Sequence, residues 1–164
     1  MVRTFLLLGS NTGDREGLLD AAFLRIGLLA GKIIAASSRY ETQPWGKEDQ
    51  PPFLNQAIEV ETPLSPQILL ATLKDIERSL GRLPSGKWEP RTMDIDIIFY
   101  GNLVVEEPNL VIPHPAMAER RFVLTPLAEI AAGIMHPVLN KSVSQLLAAC
   151  TDPLRVTVAG SAVK

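Results

Sequence analysis

The alternation Met93-Asp94-Ile95-Asp96-Ile97 restricts this chain more than any other run of five residues. Apolar side chains at every second position give a period of two, the signature of a β-strand, because successive side chains of a strand point to opposite faces. Met93, Ile95 and Ile97 therefore share a buried face, and Asp94 and Asp96 share the other. The strand spans Thr92 to Tyr100, and Gly101-Asn102 turns the chain after it.

The segments on either side fall into a recognisable order. Residues 2–8 read as a buried strand, ended by the turn-rich loop Gly9-Ser10-Asn11-Thr12-Gly13-Asp14. Asp14 is placed to cap a helix in which Leu19, Phe23, Ile26 and Ala30 recur at helical spacing. Residues 32–40 are a second strand. Residues 41–52 hold three prolines and a glycine, so they form a long loop. A third strand spans 53–61, with Phe53, Asn55, Ala57 and Glu59 on one face. Ser65-Pro66 starts a helix as cap and first residue. Its stripe is Leu69, Leu73, Ile76 and Leu80, and Gly81 stops it. A second loop, 82–91, leads into the Asp-x-Asp strand. The order strand, helix, strand, strand, helix, strand predicts an α+β fold of ferredoxin-like, split βαβ type, an antiparallel sheet with helices on one face. Beyond it the pattern predicts a hairpin over 103–112, short helices near 115–120, 126–131 and 142–149, and a strand or loose tail over 151–164. At 164 residues without repeats, the chain is expected to be a single domain.

The chemistry starts from the two aspartates. Neighbouring carboxylates on one strand face lie about 7 Å apart and repel. A hard cation relieves that, and magnesium is held by one or two carboxylates, water and substrate phosphates. Two such ions bridged by a triphosphate are a further option. An Asp-x-Asp pair alone fits a solvated strand face better. Its neighbours tip the balance: Arg82, Lys87 and Arg91 bracket the preceding loop, and arginine grips phosphate oxygens in a planar, bidentate way. Lys87 fits an ordinary solvated charge equally well. Trp45 and Trp88 lie in polar loops, where flat side chains can sandwich a flat heterocycle and an amide such as Asn55 can read its edge. Phe53 and Phe122 fit a core role as well as that one. His114, between Pro113 and Pro115 and followed by Arg120-Arg121, fits a contact to nucleotide phosphate, although a plain surface histidine has the same appearance. His136 has no such neighbours and reads as structural. The glycines of 9–13 are a weak phosphate-loop signal, and no P-loop motif is present.

Composition narrows the partners. The net charge of −2 gives no bulk attraction to nucleic acid or anionic membranes, so any anionic ligand needs a local basic cluster. Cys150, the sole cysteine, cannot form an internal disulfide and reads as a buried thiol. With no apolar run long enough to span a bilayer, the chain reads as cytoplasmic.

Several segments together resemble the 6-hydroxymethyl-7,8-dihydropterin pyrophosphokinase family. They are Leu7-Leu8-Gly9-Ser10-Asn11, Ser38-Arg39-Tyr40-Glu41-Thr42-Gln43-Pro44, Phe53-Leu54-Asn55, Ile76-Glu77 with Leu80-Gly81-Arg82, Pro90-Arg91-Thr92-Met93-Asp94-Ile95-Asp96-Ile97, Pro113-His114 with Met117, and Arg120-Arg121-Phe122-Val123-Leu124-Thr125-Pro126-Leu127. They run in the family's order over about residues 3–130. The resemblance implies transfer of a pyrophosphoryl unit from ATP to the pterin hydroxymethyl oxygen, with AMP released. It implies Asp94 and Asp96 as ligands of two magnesium ions, and Arg82 and Arg91 on the transferring phosphates. The pterin site it implies is Thr42, Pro44, Trp45, Phe53, Asn55, Asp94 and Phe122, with Trp88 closing over it. The ATP site it implies is Lys74, Glu77, Arg82, Trp88, Arg91, Ile97, His114 and Arg120. It also implies a monomer, because the family's site lies within one chain. Three positions depart from the family pattern: Glu89 replaces a small residue, the 82–91 loop is short and carries Pro84-Ser85, and Lys74 replaces a frequent glutamine. A non-catalytic nucleotide- or pterin-binding module and a domain gripping a protein partner through its aromatic loops are the competing readings.

Overall fold

The computed structural model describes residues 1–42, 51–81 and 93–159. Among these the main sheet contains β1 (Val2–Ser10), β2 (Lys32–Ala36), β3 (Tyr40–Thr42), β4 (Phe53–Thr62), β5 (Asp94–Tyr100) and β8 (Val156–Val158). The strands run in the order β5-β1-β4-β3-β8, and β2 pairs with β4 alongside β3. Every pairing is antiparallel. The helices α1 (Arg15–Leu29) and α2 (Pro66–Ser79) connect the strands in the expected ferredoxin-like way. A small hairpin, β6 (Val105–Glu107) and β7 (Leu110–Ile112), stands where the sequence predicts one.

Local signals explain the element ends. Asp14 accepts the Gly17 N–H at 3.0 Å and Ser65 accepts the Ile68 N–H at 3.3 Å, so both helices start on the caps the sequence offers. Gly81, at φ +97°, ends α2 in a conformation that favours glycine. Between α1 and β2 the chain passes so close to β4 that a Cβ on Gly31 would meet the Glu61 carbonyl oxygen at 2.2 Å.

Two cores lie on opposite faces of the sheet. Leu6, Leu8, Leu54, Ile58, Ile95 and Ile97 pack against Leu19, Ile26, Leu69, Leu73 and Ile76 of α1 and α2. Phe5, Leu7, Ala57 and Phe99 pack against α3 (Arg121–Ala131) and α4 (Val143–Ala149) through Val123, Leu124, Leu127, Val143 and Leu146. The sheet is thus covered on both faces, where sequence order suggests helices on one. The short C-terminal helices are the second layer.

Other boundaries shift for identifiable reasons. The expected strand over 32–40 is broken at Ser37, whose hydroxyl accepts the Ala57 N–H at 3.0 Å, giving β2 and β3. The helix expected from Pro126 starts five residues earlier, because residues 121–125 continue the apolar face and a proline near a helix start removes only one internal bond. The segment near 115–120 is a single 3₁₀ turn, Met117–Glu119. Cys150 is half-buried at the edge of the second core instead of within it. His136 is structural, as expected: buried, edge-on to Phe99, its Nδ1 accepting the N–H groups of Val138 and Leu139.

Candidate active site

Strand register aligns the floor of a cavity. Asp94 lies opposite Gly9, and Gly9 lies opposite Asn55 on the far side of β1. Asp96 pairs with Leu7 in the next row of the same face. Thr42 pairs with Phe53 beyond Asn55. Neighbouring strands are about 4.8 Å apart, so a carboxylate and an amide face each other across roughly 10 Å of floor. Gly9 makes this possible. A Cβ there would stand 2.5 Å from Asn55 Nδ2, which instead donates to the Leu8 carbonyl at 3.3 Å.

One wall descends from a bulge. Between Phe5 and Leu6 the β1–β5 register slips by one residue, leaving Ile98 extra. Ile98 and Phe99 both enter the second core, and the freed Ile98 carbonyl accepts the His114 N–H at 3.0 Å. From His114 the 3₁₀ turn leads to Arg120 and the start of α3. His114 Nδ1 accepts the Ala116 N–H at 3.3 Å, so the neutral ring carries its proton on Nε2. Burial first, and the Arg120 charge second, hold its pKa below the ordinary histidine value. The Arg120 guanidinium lies 5.7 Å from the centre of the Phe122 ring, a cation–π contact.

The cavity between these parts has a volume of about 770 Å³. That suits a ligand of small-molecule size. Thr42, Phe53, Asn55, Asp94 and Phe122, the described members of the expected pterin set, all line it. So do Asp96, His114 and Arg120. Two of these lining residues have unmet hydrogen-bonding capacity. Thr42 Oγ1 and Asn55 Oδ1 are buried and have no hydrogen-bond partner among the described residues. A buried polar atom without a partner costs about 1–3 kcal/mol. A flat heterocycle with donors and acceptors on its edge would remove that cost.

The remaining expected residues lie elsewhere. Lys74 and Glu77 are on α2, on the other side of β5, and Ile97 points into the first core. The buried Glu77 carboxylate accepts the Ile95 N–H at 2.7 Å and stands 3.9 Å from Lys74 Nζ. Glu77 thus fixes the back of the strand whose front carries the aspartates. Pro44, Trp45, Arg82, Lys87, Trp88, Glu89 and Arg91 lie outside the described residues. On the described flanks of 43–50, Arg15 of α1 donates to Glu41 Oε1 at 2.8 Å and to the Pro52 carbonyl at 2.9 Å.

Sequence reasoning read Gly9 only as part of a weak phosphate-loop signal, and it missed the turn residues Ala116 and Glu119 and the segment Thr151 to Leu154. Gly9 had a signal, since a glycine closing an apolar strand marks a close approach of other groups. The last segment had none.

Asp94 and Asp96 present carboxylate oxygens on one face. Among the described residues no group of three or more His, Cys, Asp or Glu makes a metal site unaided. A hard cation there would complete its shell with water and phosphate oxygens, the pattern magnesium prefers.

Comparison with known proteins agrees with this arrangement. The model of the 7,8-dihydro-6-hydroxymethylpterin-pyrophosphokinase family matches residues 5–132. A 2-amino-4-hydroxy-6-hydroxymethyldihydropteridine pyrophosphokinase of Bacillus subtilis is 46% identical over 142 residues, covering 86% of this chain and 85% of that protein. The Methylorubrum extorquens protein of that name is 43% identical over 136 residues, covering 82% and 86%. A folic acid synthesis protein of Pneumocystis carinii is 37% identical over 90% of this chain, which spans 20% of that longer protein. Among solved structures, the wild-type HPPK-DHPS of Plasmodium falciparum superposes with a TM-score of 0.72 at 17% identity. It matches 90% of this chain, which spans 44% of its length. That likeness speaks for the fold, and the sequence matches speak for descent: the chain belongs to the 7,8-dihydro-6-hydroxymethylpterin-pyrophosphokinase family.

Proposed function

We propose that this chain transfers a pyrophosphoryl group from ATP to the hydroxymethyl oxygen of 6-hydroxymethyl-7,8-dihydropterin, giving AMP and the pterin diphosphate of folate biosynthesis. The observation that carries this reading is one cavity with two opposed chemistries. A carboxylate pair occupies one side, and the other side has Asn55 and Thr42, whose side-chain oxygens have no partner among the described residues.

The geometry supports a division of labour. Asn55 and Thr42 offer acceptors to the pterin edge, and Phe53 and Phe122 offer apolar surface to its ring. In the reaction the hydroxymethyl oxygen forms a bond to the β-phosphorus as the bond from that phosphorus to the α-bridging oxygen breaks. Such a transfer asks a protein mainly for position and charge compensation. Asp94 and Asp96 would hold magnesium, with two ions as the full complement, and the metal supplies neutralisation of the phosphate oxygens. Without a cation those carboxylates would repel a triphosphate. His114, through its Nε2–H, and Arg120 offer donors to phosphate from the wall that hangs from β5. Arg82 and Arg91, by their place in sequence beside the Asp-x-Asp strand, add cations, and Trp88 adds a flat cover. Lys74, Glu77 and Ile97 belong to the nucleotide side in this reading, reached around the edge strand β5. A single domain working as a cytoplasmic monomer accompanies it: the length of 164 residues fits one domain, the lone cysteine fits a reducing compartment, and a site built within one chain fits a monomer.

The test is AMP formation from ATP, with and without the pterin and magnesium. AMP should appear only when all three are present, and Asp94→Ala should abolish it. ADP as the product would overturn the reaction type. Bound pterin without turnover would favour a binding module.

A further inference from the structure

The segment after α4 bears no motif, yet it borders the cavity. Thr151, Asp152, Pro153 and Leu154 line it. Farther on, β8 pairs with β3, placing Val156 beside Thr42, and Ala159 donates to the Arg39 carbonyl at 2.8 Å. The segment therefore bridges the second helical layer and the sheet edge, closing the side of the cavity between them.

Its attachment is specific. Asp152 Oδ2 accepts the Arg121 backbone N–H at 3.0 Å, while Oδ1 accepts the Leu154 N–H at 3.0 Å. In return the Arg121 side chain donates from Nε to the Asp152 carbonyl at 3.2 Å and from Nη2 to the Cys150 carbonyl at 2.9 Å. Arg120 occupies the cap position of α3 but supplies no side-chain cap. The first turn of a helix has N–H groups that need outside acceptors. Asp152 provides one from 31 residues away in sequence, and its negative charge suits the helix start. The residues on either side of Arg121 are Arg120 and Phe122, which line the cavity.

We propose that Asp152 is a positioning residue of this site and that Thr151–Leu154 is its outer wall, clamped to α3 so that Arg120 and Phe122 hold their places against phosphate and pterin. This rests on the function proposed above. The reciprocal bonding also explains why a motif-free tail folds back over a polar cavity.

The experiment uses the full chain and the variants Asp152→Ala, Asp152→Asn and Arg121→Ala. Three quantities are measured: affinity for 6-hydroxymethyl-7,8-dihydropterin with magnesium and α,β-methylene ATP present, KM and kcat for AMP formation, and thermal stability. Asp152→Ala should weaken pterin binding and raise its KM by about tenfold, with kcat changed by less than about threefold. Asp152→Asn keeps an oxygen for the Arg121 N–H and should restore affinity to within about threefold. A merely structural tether lowers the melting temperature and leaves the affinity alone. Folded Asp152→Ala with wild-type affinity, or Asp152→Asn no better than alanine, overturns the inference. If Asp152→Ala does not fold, Arg121→Ala, which keeps the cap, decides: weaker binding supports the wall and unchanged binding overturns it. If the unaltered chain forms no AMP, the functional reading has failed, and the affinities still judge the wall.

Discussion

The two faces of the sheet use the same strands to different ends. Toward α1 and α2 the packing is continuous, from Ile58 and Leu6 in mid-sheet to Leu8, Leu54 and Ile95 near the strand ends. Toward α3 and α4 the apolar contact stops after Leu7 and Ala57. Beyond that point the strands offer Gly9, Asn55 and Asp94 to a cavity. The difference arises from parity: one step along a strand exchanges a core leucine for a site residue. The sealed face provides rigidity, and the site occupies the place where the second layer ends.

This comparison predicts a separation between activity and stability. The largest effect belongs to the open face. Asp96→Ala should lower AMP formation by about 10²–10³-fold, with the melting temperature little changed because Asp96 is exposed. An Asp96→Ala protein that unfolds readily would break the comparison. Next comes the sealed face, where Leu73→Ala should cost about 2–5 kcal/mol in a denaturant titration and leave the KM for pterin unchanged. A raised KM there would mean that the two faces are coupled. Gly9→Ala puts a methyl group against Asn55 Nδ2. Pterin affinity should fall about tenfold, roughly 1.4 kcal/mol, as read by calorimetry.

The smallest effect is in pH dependence. His136 and His114 both have lowered pKa values in the folded chain, chiefly through burial. Below the ordinary value of 6.5 the unfolded chain therefore binds protons that the folded chain does not. Stability should rise with pH up to about 6.5 and level off above it. Each Nδ1 already accepts a backbone N–H, so protonation also breaks a bond. His136→Asn, which keeps an acceptor, should flatten the slope between about pH 5 and pH 7. An unchanged slope would assign it to His114 and carboxylates.

The legible parts of the molecule share one property: their signals are local. Period-two alternation placed Asp94 and Asp96 on the face opposite Ile95 and Ile97, and Asp14 and Ser65 marked the starts of both helices. Asn55 and Phe53 shared the expected face of their strand. The β5 bulge was not legible, since the alternation of Met93 to Ile97 gives way to the apolar run Ile97-Ile98-Phe99-Tyr100, which a strand buried on both faces shows equally, and only pairing with β1 leaves Ile98 over. The helix containing Pro126 was read short because proline is a stronger local signal than the apolar contacts that extend α3 to Arg121.

What the sequence by itself determined is the βαββαβ order, the strand face that bears the carboxylates and the family. These depend on periodicity, caps and motif order, which are short-range properties of a chain. Tertiary structure alone decided that Gly9 makes room for Asn55, that His114 hangs from the Ile98 carbonyl, and that Asp152 caps α3 and closes the cavity. Each of these joins residues far apart in sequence through one hydrogen bond or one close approach, and neither leaves a period or a motif in the residues that make it.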